Sequence, residues 1–165
     1  DPVVSFISGE RRDSVLNGFT LQNGRPPSSR SSQGGGILIQ NSSPTITNNV
    51  ITNNHACSGA GIGIFSGSPL IQLNTITGNI NDVCTFGGGG GGIFILGVGS
   101  VEILDNVISD NVNLSGGGIA MFGGRTTPII KRNVIRFELI NPSISVKIWL
   151  FIKLIYCFVN DGIVI

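Results

Sequence analysis

Pro44-Thr-Ile-Thr-Asn-Asn-Val-Ile-Thr-Asn-Asn54 decides the fold, because the chain repeats it. Pro69-Leu-Ile-Gln-Leu-Asn-Thr-Ile-Thr-Gly-Asn79 and Pro128-Ile-Ile-Lys-Arg-Asn-Val-Ile-Arg-Phe-Glu138 superpose on it without gaps, and Ser100 to Asn111 fits with one extra residue near its start. The shared formula is P-x-I-x-x-N-x-I-x-x-N. A second block of small residues running into apolar alternation precedes each copy: Gly34-Gly-Gly-Ile-Leu-Ile39, Gly59-Ala-Gly-Ile-Gly-Ile64, Gly90-Gly-Gly-Ile-Phe-Ile95 and Gly116-Gly-Gly-Ile-Ala-Met121. One unit therefore carries three short strands, starting near G-G-G-I, P-x-I and N-x-I. A degraded first unit is visible in Val3 to Phe6 and Ser14 to Gly24.

Asn49, Asn74, Asn106 and Asn133 stand 25, 32 and 27 residues apart. Most of the variation falls between the last asparagine of one unit and the glycines of the next, and insertions confined to one corner are expected of a solenoid. Stacking such coils about 4.8 Å apart turns Ile46, Ile71, Ile103 and Ile130 into one column of inward side chains. Ile51, Ile76, Ile108 and Ile135 make a second, and Ile37, Ile62, Ile93 and Ile119 a third. A single coil cannot bury such a face, so stability must come from neighbour stacking. Corners need residues that tolerate left-handed backbone angles, which Asn and Gly do most cheaply. A corner asparagine repeated in every coil can also donate from its NH2 to the side-chain oxygen of its copy in the next, so Asn49, Asn74, Asn106 and Asn133 are expected to form a ladder. Leucine-rich repeats are excluded by the missing L-x-x-L-x-L, and the calcium-binding nonapeptide repeat by glycines that run into Ile rather than Asp.

N-x-I-x-x-N with G-G-G-I blocks resembles the parallel β-helix repeats of the pectin-lyase-like superfamily over roughly residues 3 to 138. The resemblance implies an all-β, single-stranded right-handed parallel β-helix of about five coils of about 25 residues. It does not imply one activity, since that superfamily holds lyases, glycosidases, epimerases, adhesins and domains of unassigned role. A lyase of this kind uses a basic residue as proton acceptor, and no Lys or Arg occurs between Arg30 and Arg125, which leaves Lys131 or Arg132. That gap also removes the basic stripe a nucleic-acid binder needs. A glycosidase needs two carboxyls about 5 to 9.5 Å apart. The middle coils offer Asp82, Glu102, Asp105 and Asp110, with no carboxylate at the equivalents of Asp105, which are Asn48, Leu73 and Arg132. Arg132 should sit one coil beyond Asp105 and pair with it as an exposed ion pair; Asp110 aligns with turn residues.

The run Gly87 to Gly92 lacks the Lys-Ser or Lys-Thr and the helix of a phosphate cradle, and is read as letting coils approach. His55, the single histidine, has no ligand partner at metal spacing and is expected in a solvated loop. No metal or other cofactor is expected. Cys57 and Cys84 occupy the same variable loop in consecutive coils, so a disulfide or two buried free thiols are the readings, the bond being favoured outside the cytoplasm. The loop from Ile80 to Gly92, with Asp82 and Phe86, is where ligand contacts are expected, alongside Asp105 and Asp110.

The repeat stops after Ile135, and residues 139–165 form a non-repeat apolar tail. A hydrophobic cap, a membrane or partner interface, and a shifted coding frame compete to explain it. The shifted frame is preferred, and translation of the other frames tests it. Membrane association is expected only if the 146–159 stretch is genuine. With no initiator Met and no signal peptide, the chain is read as a fragment or mature segment. The functional expectation is a secreted or cell-surface β-helix domain, extracellular, on the cell surface or periplasmic, acting as a scaffold or a carbohydrate-binding surface with polysaccharide as partner. The alternative is a polysaccharide lyase or glycoside hydrolase whose active coils are partly missing; the balance leans away from an enzyme.

Overall fold

The computed structural model describes residues 1–27, 32–81, 89–113, 116–123 and 127–136. Fifteen strands follow one another in triplets. The first coil carries β1 (Val4–Phe6), β2 (Val15–Asn17) and β3 (Thr20–Gln22), and the second β4 (Ile37–Gln40), β5 (Thr45–Thr47) and β6 (Val50–Thr52). The third carries β7 (Ile62–Phe65), β8 (Leu70–Gln72) and β9 (Thr75–Thr77), and the fourth β10 (Ile93–Leu96), β11 (Glu102–Leu104) and β12 (Val107–Ser109). β13 (Ile119–Phe122), β14 (Ile129–Lys131) and β15 (Val134–Ile135) complete the set. Each strand pairs in parallel with its equivalents in neighbouring coils, giving three five-stranded sheets, the first ordered β1-β4-β7-β10-β13. The described residues contain no helix. The all-β parallel solenoid expected from the repeat is the fold.

The register reproduces the three expected isoleucine columns. Ile46 faces Ile71, which faces Ile103, which faces Ile130. The columns through Ile51 and Ile37 run likewise. Val4, Leu16 and Leu21 begin them in the first coil, so that coil is a full member with weaker spelling. A fourth column, Phe6, Ile39, Ile64, Ile95 and Met121, lies beside the third. Interior members such as Ile46, Ile62 and Ile103 are wholly buried. Burying each contributes roughly 1.5–3 kcal/mol.

Two ladders, not one, hold the corners. In the first, the backbone N–H and Nδ2 of Asn49 both donate to Asn74 Oδ1 at 2.9 and 3.1 Å, Asn74 repeats this on Asn106, and Asn106 on Asn133. The second runs from Asn54 to Asn79 to Asn111 in the same manner. Each amide also donates to backbone: Asn74 Nδ2 shares its protons with Ile46 O and Gln72 O. These asparagines are buried, and their amides satisfy corner peptide groups that could not otherwise reach water. In the first coil Phe19 and Gly24 hold the equivalent places, and their N–H groups start the ladders by donating to Asn49 Oδ1 and Asn54 Oδ1.

The left-handed angle falls one residue before each rung, not on the rung itself. Asn48, Leu73, Asp105 and Arg132 have φ of 54 to 56°, as do Asn53, Gly78 and Asp110 at 52 to 65° before the second ladder. The division of labour is physical: the residue that turns the chain points outward, and the next turns its amide into the core.

The glycine blocks have a related cause. A Cβ on Gly36 would lie 2.7 Å from Gly61 O and 2.8 Å from Asn54 Nδ2, and one on Gly61 would lie 2.5 Å from Gly92 O. The block passes so close to the second ladder and to the next coil's backbone that no side chain fits.

Asn74→Ala should therefore lower stability in urea unfolding by roughly 3 kcal/mol, since it orphans the buried Asn49 N–H together with neighbouring amide groups. Asn48→Ala, on the exposed left-handed site, should cost only roughly 1 kcal/mol. Leu73, 53% exposed at φ 56°, is the misfit of its row, and Leu73→Asn should raise stability by roughly 1 kcal/mol; a loss there would refute the assignment of roles.

Candidate functional site

The connection from first to second sheet is four residues long in the second and third coils but eight in the first, Ile7 to Ser14. Glu10-Arg11-Arg12-Asp13 sits in that longer connection, which folds back along the corner as a strap over later coils. Ser43 N–H donates to Glu10 O at 2.7 Å, and Ser42 Oγ donates to Glu10 Oε2 at 2.8 Å. Thr45 Oγ1 donates to Arg12 O at 2.8 Å. Arg12 reaches further: its Nε donates to Ser68 O in the third coil at 3.1 Å, and its Nη2 meets Glu102 Oε1 in the fourth at 2.6 Å.

Between strap and corner lies an open groove of about 550 Å³ lined by Gly9, Glu10, Arg11, Arg12, Asp13, Asn41, Ser43 and Ser68. It sets guanidinium and amide donors beside carboxylate and hydroxyl acceptors, and its size falls within the range of small-molecule sites. Glu10 is held below the usual carboxylate range by hydrogen bonds from its own amide, from Ser8 N–H and from Ser42 Oγ.

Sequence reasoning looked elsewhere for ligand contacts. Asp82, Cys84 and Phe86 lie outside the described residues, as do all of residues 137–165. Asp105 and Arg132 form the cross-coil pair the alignment implies, Arg132 Nε to Oδ1 and Nη2 to Oδ2, both 2.7 Å. The Arg132 hydrogen bonds hold the Asp105 carboxyl below its ordinary range. Asp110 occupies a left-handed turn position, exposed, with Thr77 Oγ1 at 3.5 Å. These two acids are not brought together with the groove. His55 departs from expectation: it is half-buried and its backbone bridges Ile80, because the loop after each second-ladder asparagine still stacks in register. Cys57 is buried and disulfide-bonded. Among the described residues no three His, Cys, Asp or Glu side chains converge as metal ligands.

The run free of Lys and Arg from residues 31 to 124 suggested middle coils without a basic group. The strap supplies one from outside that run, since Arg12 crosses to Glu102. The signal available in the sequence was the density of charge at residues 10–13 in a chain with only 12% charged residues.

Glu10 gives a pH test. Its folded pKa is lowered, so its contribution is present above the unfolded-state pKa near 4.3 and is lost as pH falls through the lower folded value. Unfolding curves of Glu10→Gln and the parent should differ at neutral pH and converge under acid. A gap that persists once the carboxyl is protonated would refute this role.

No curated protein and no solved structure matches the chain. The family model described as right handed beta helix region matches residues 12–147, which is more than half of the chain. With its repeating triplets, parallel register and corner ladders, the chain belongs to the right-handed β-helix family.

Proposed function

We propose that this chain is a β-helix scaffold that binds carbohydrate, working outside the cytoplasm, and that the groove under the strap is the binding surface. The observation that carries the reading is the groove itself. Arg11 and Asn41 offer donors and Asp13 and Ser43 offer acceptors on one open surface, which is the mixture sugar hydroxyls require. An open groove suits a chain molecule that passes through it, and polysaccharide is the ligand class we infer. The disulfide at Cys57 supports an oxidising location.

Binding rather than turnover is favoured by the state of Glu10 in the groove, whose carboxyl is held below its ordinary range by hydrogen bonds from its own amide, Ser8 and Ser42. It is therefore a poor proton donor near neutrality. Further along the coils Glu102 is paired with Arg12 and Asp105 with Arg132, and the Arg132 hydrogen bonds hold the Asp105 carboxyl below its ordinary range. A hydrolase or lyase reading would draw on Arg12, the basic group delivered to the middle coils, but that guanidinium is engaged by Glu102 and Ser68.

Affinity electrophoresis through gels containing neutral and acidic polysaccharides should show retardation by at least one of them. The double variant Arg11→Ala, Asn41→Ala, with unchanged circular dichroism, should lose roughly tenfold or more in affinity, as expected for two hydrogen-bonding groups at about 1 kcal/mol each. Retardation equal in parent and variant would move the site elsewhere. Incubation with pectin, alginate and related polymers should release no unsaturated or reducing ends, and clear turnover of any would overturn the non-catalytic reading.

A further inference from the structure

The charges that line the strap groove are not equally free to meet a ligand. Arg12 has spent its guanidinium, since Nε donates to Ser68 O at 3.1 Å and Nη2 meets Glu102 Oε1 at 2.6 Å, where the two charges cancel. Glu10 is tethered but keeps its charge, accepting from Ser8 N–H at 2.9 Å and from Ser42 Oγ at 2.8 Å. Arg11 and Asp13 are exposed. The lining thus sets the guanidinium of Arg11 against the carboxylates of Glu10 and Asp13, one positive charge against two negative.

We propose that the groove selects uncharged polysaccharide and repels acidic polymers, with Glu10 and Asp13 setting the choice; this rests on the reading of the groove as a carbohydrate site. Repulsion is modest at each contact and adds along a chain. Two carboxylates about 6 Å apart in water weaken binding by roughly threefold, and a polymer with an acid on every residue meets the pair repeatedly. A carboxylate is held best by the fork of a guanidinium. Arg12 has no fork to give, and Arg11 stands between the two acids in the chain.

The other groups on this surface suit a neutral sugar. The corner under the strap carries a row of hydroxyls, one per coil: Ser68 N–H donates to Ser43 Oγ at 2.9 Å and Ser100 N–H to Ser68 Oγ at 3.0 Å. Each oxygen accepts from the coil that follows, which leaves the hydroxyl protons of Ser43 and Ser68 to donate to a ligand in the groove. Beside the groove the surface is uncharged. Gln40, which precedes Asn41, stands in register with Phe65, Leu96 and Phe122, of which Leu96 is 38% and Phe122 50% exposed. An apolar strip with a polar rim marks a ligand surface, and this one fits the C–H faces of sugar rings that carry no carboxylate.

The test is the sign of the salt dependence, measured by titration calorimetry on the full chain. Dextran, galactomannan and xyloglucan serve as neutral probes, polygalacturonate and alginate as acidic ones. At low salt at least one neutral polymer should bind roughly tenfold or more tighter than either acidic one. Raising salt to about 1 M, where charges are screened beyond about 3 Å, should leave neutral binding unchanged and strengthen acidic binding. Asp13→Asn, at an exposed position and with circular dichroism as a check on folding, should narrow the neutral preference by roughly threefold at low salt. Acidic polymers that bind tighter than neutral ones, or that weaken as salt rises, would overturn the selection while leaving the carbohydrate site in place. A preference indifferent to both salt and Asp13→Asn would show that charge does not set it, and would overturn the proposal too. If no polymer of either class binds, the carbohydrate reading falls and the selection falls with it.

Discussion

Everything in this molecule depends on how a buried corner keeps its peptide groups hydrogen-bonded. A flat coil can pair its strands with the coils on either side, but where the chain turns, the peptide planes rotate out of the ladder and are still covered by the next coil. The side-chain amides of Asn49, Asn74, Asn106 and Asn133, and of Asn54, Asn79 and Asn111, supply the missing donors and acceptors. Because each rung is bonded to its copy, the requirement passes from coil to coil. The isoleucine columns, the strand register and the position of the glycines follow once the corners are fixed.

The same constraint explains what was legible in the sequence. A buried hydrogen-bonding amide admits almost no substitute, so the asparagines could be aligned by eye, and the alignment fixed the columns around Ile46, Ile51 and Ile37. The left-handed residue beside each rung was misplaced by one because its side chain faces solvent and varies freely, as Asn48, Leu73, Asp105 and Arg132 show. The second ladder was written in the formula but hidden by Gly24 in the first coil and by Glu138 in the last copy.

The groove was not legible, for the opposite reason. The repeat describes what every coil shares, whereas Ile7 to Ser14 departs from it. Nothing in the period says that Arg12 should cross from the first coil to Ser68 and Glu102; that follows from the direction in which a long connection leaves a corner. The Asp105 and Arg132 pair could be foreseen because both residues lie inside the repeat, one coil apart.

That strap changes what kind of object the solenoid is. In a stack whose units touch only their neighbours, stability is close to a sum of local terms, and either end can fray without consulting the other. Arg12 adds a tie that runs from the first coil across the second and third, which it also touches, to the fourth. The first coil therefore cannot make all its native contacts until the fourth has been wound, and losing the fourth loosens the start of the chain. A nearly one-dimensional array acquires a loop closure, and with it a measure of the all-or-none behaviour that globular domains obtain from a single shared core.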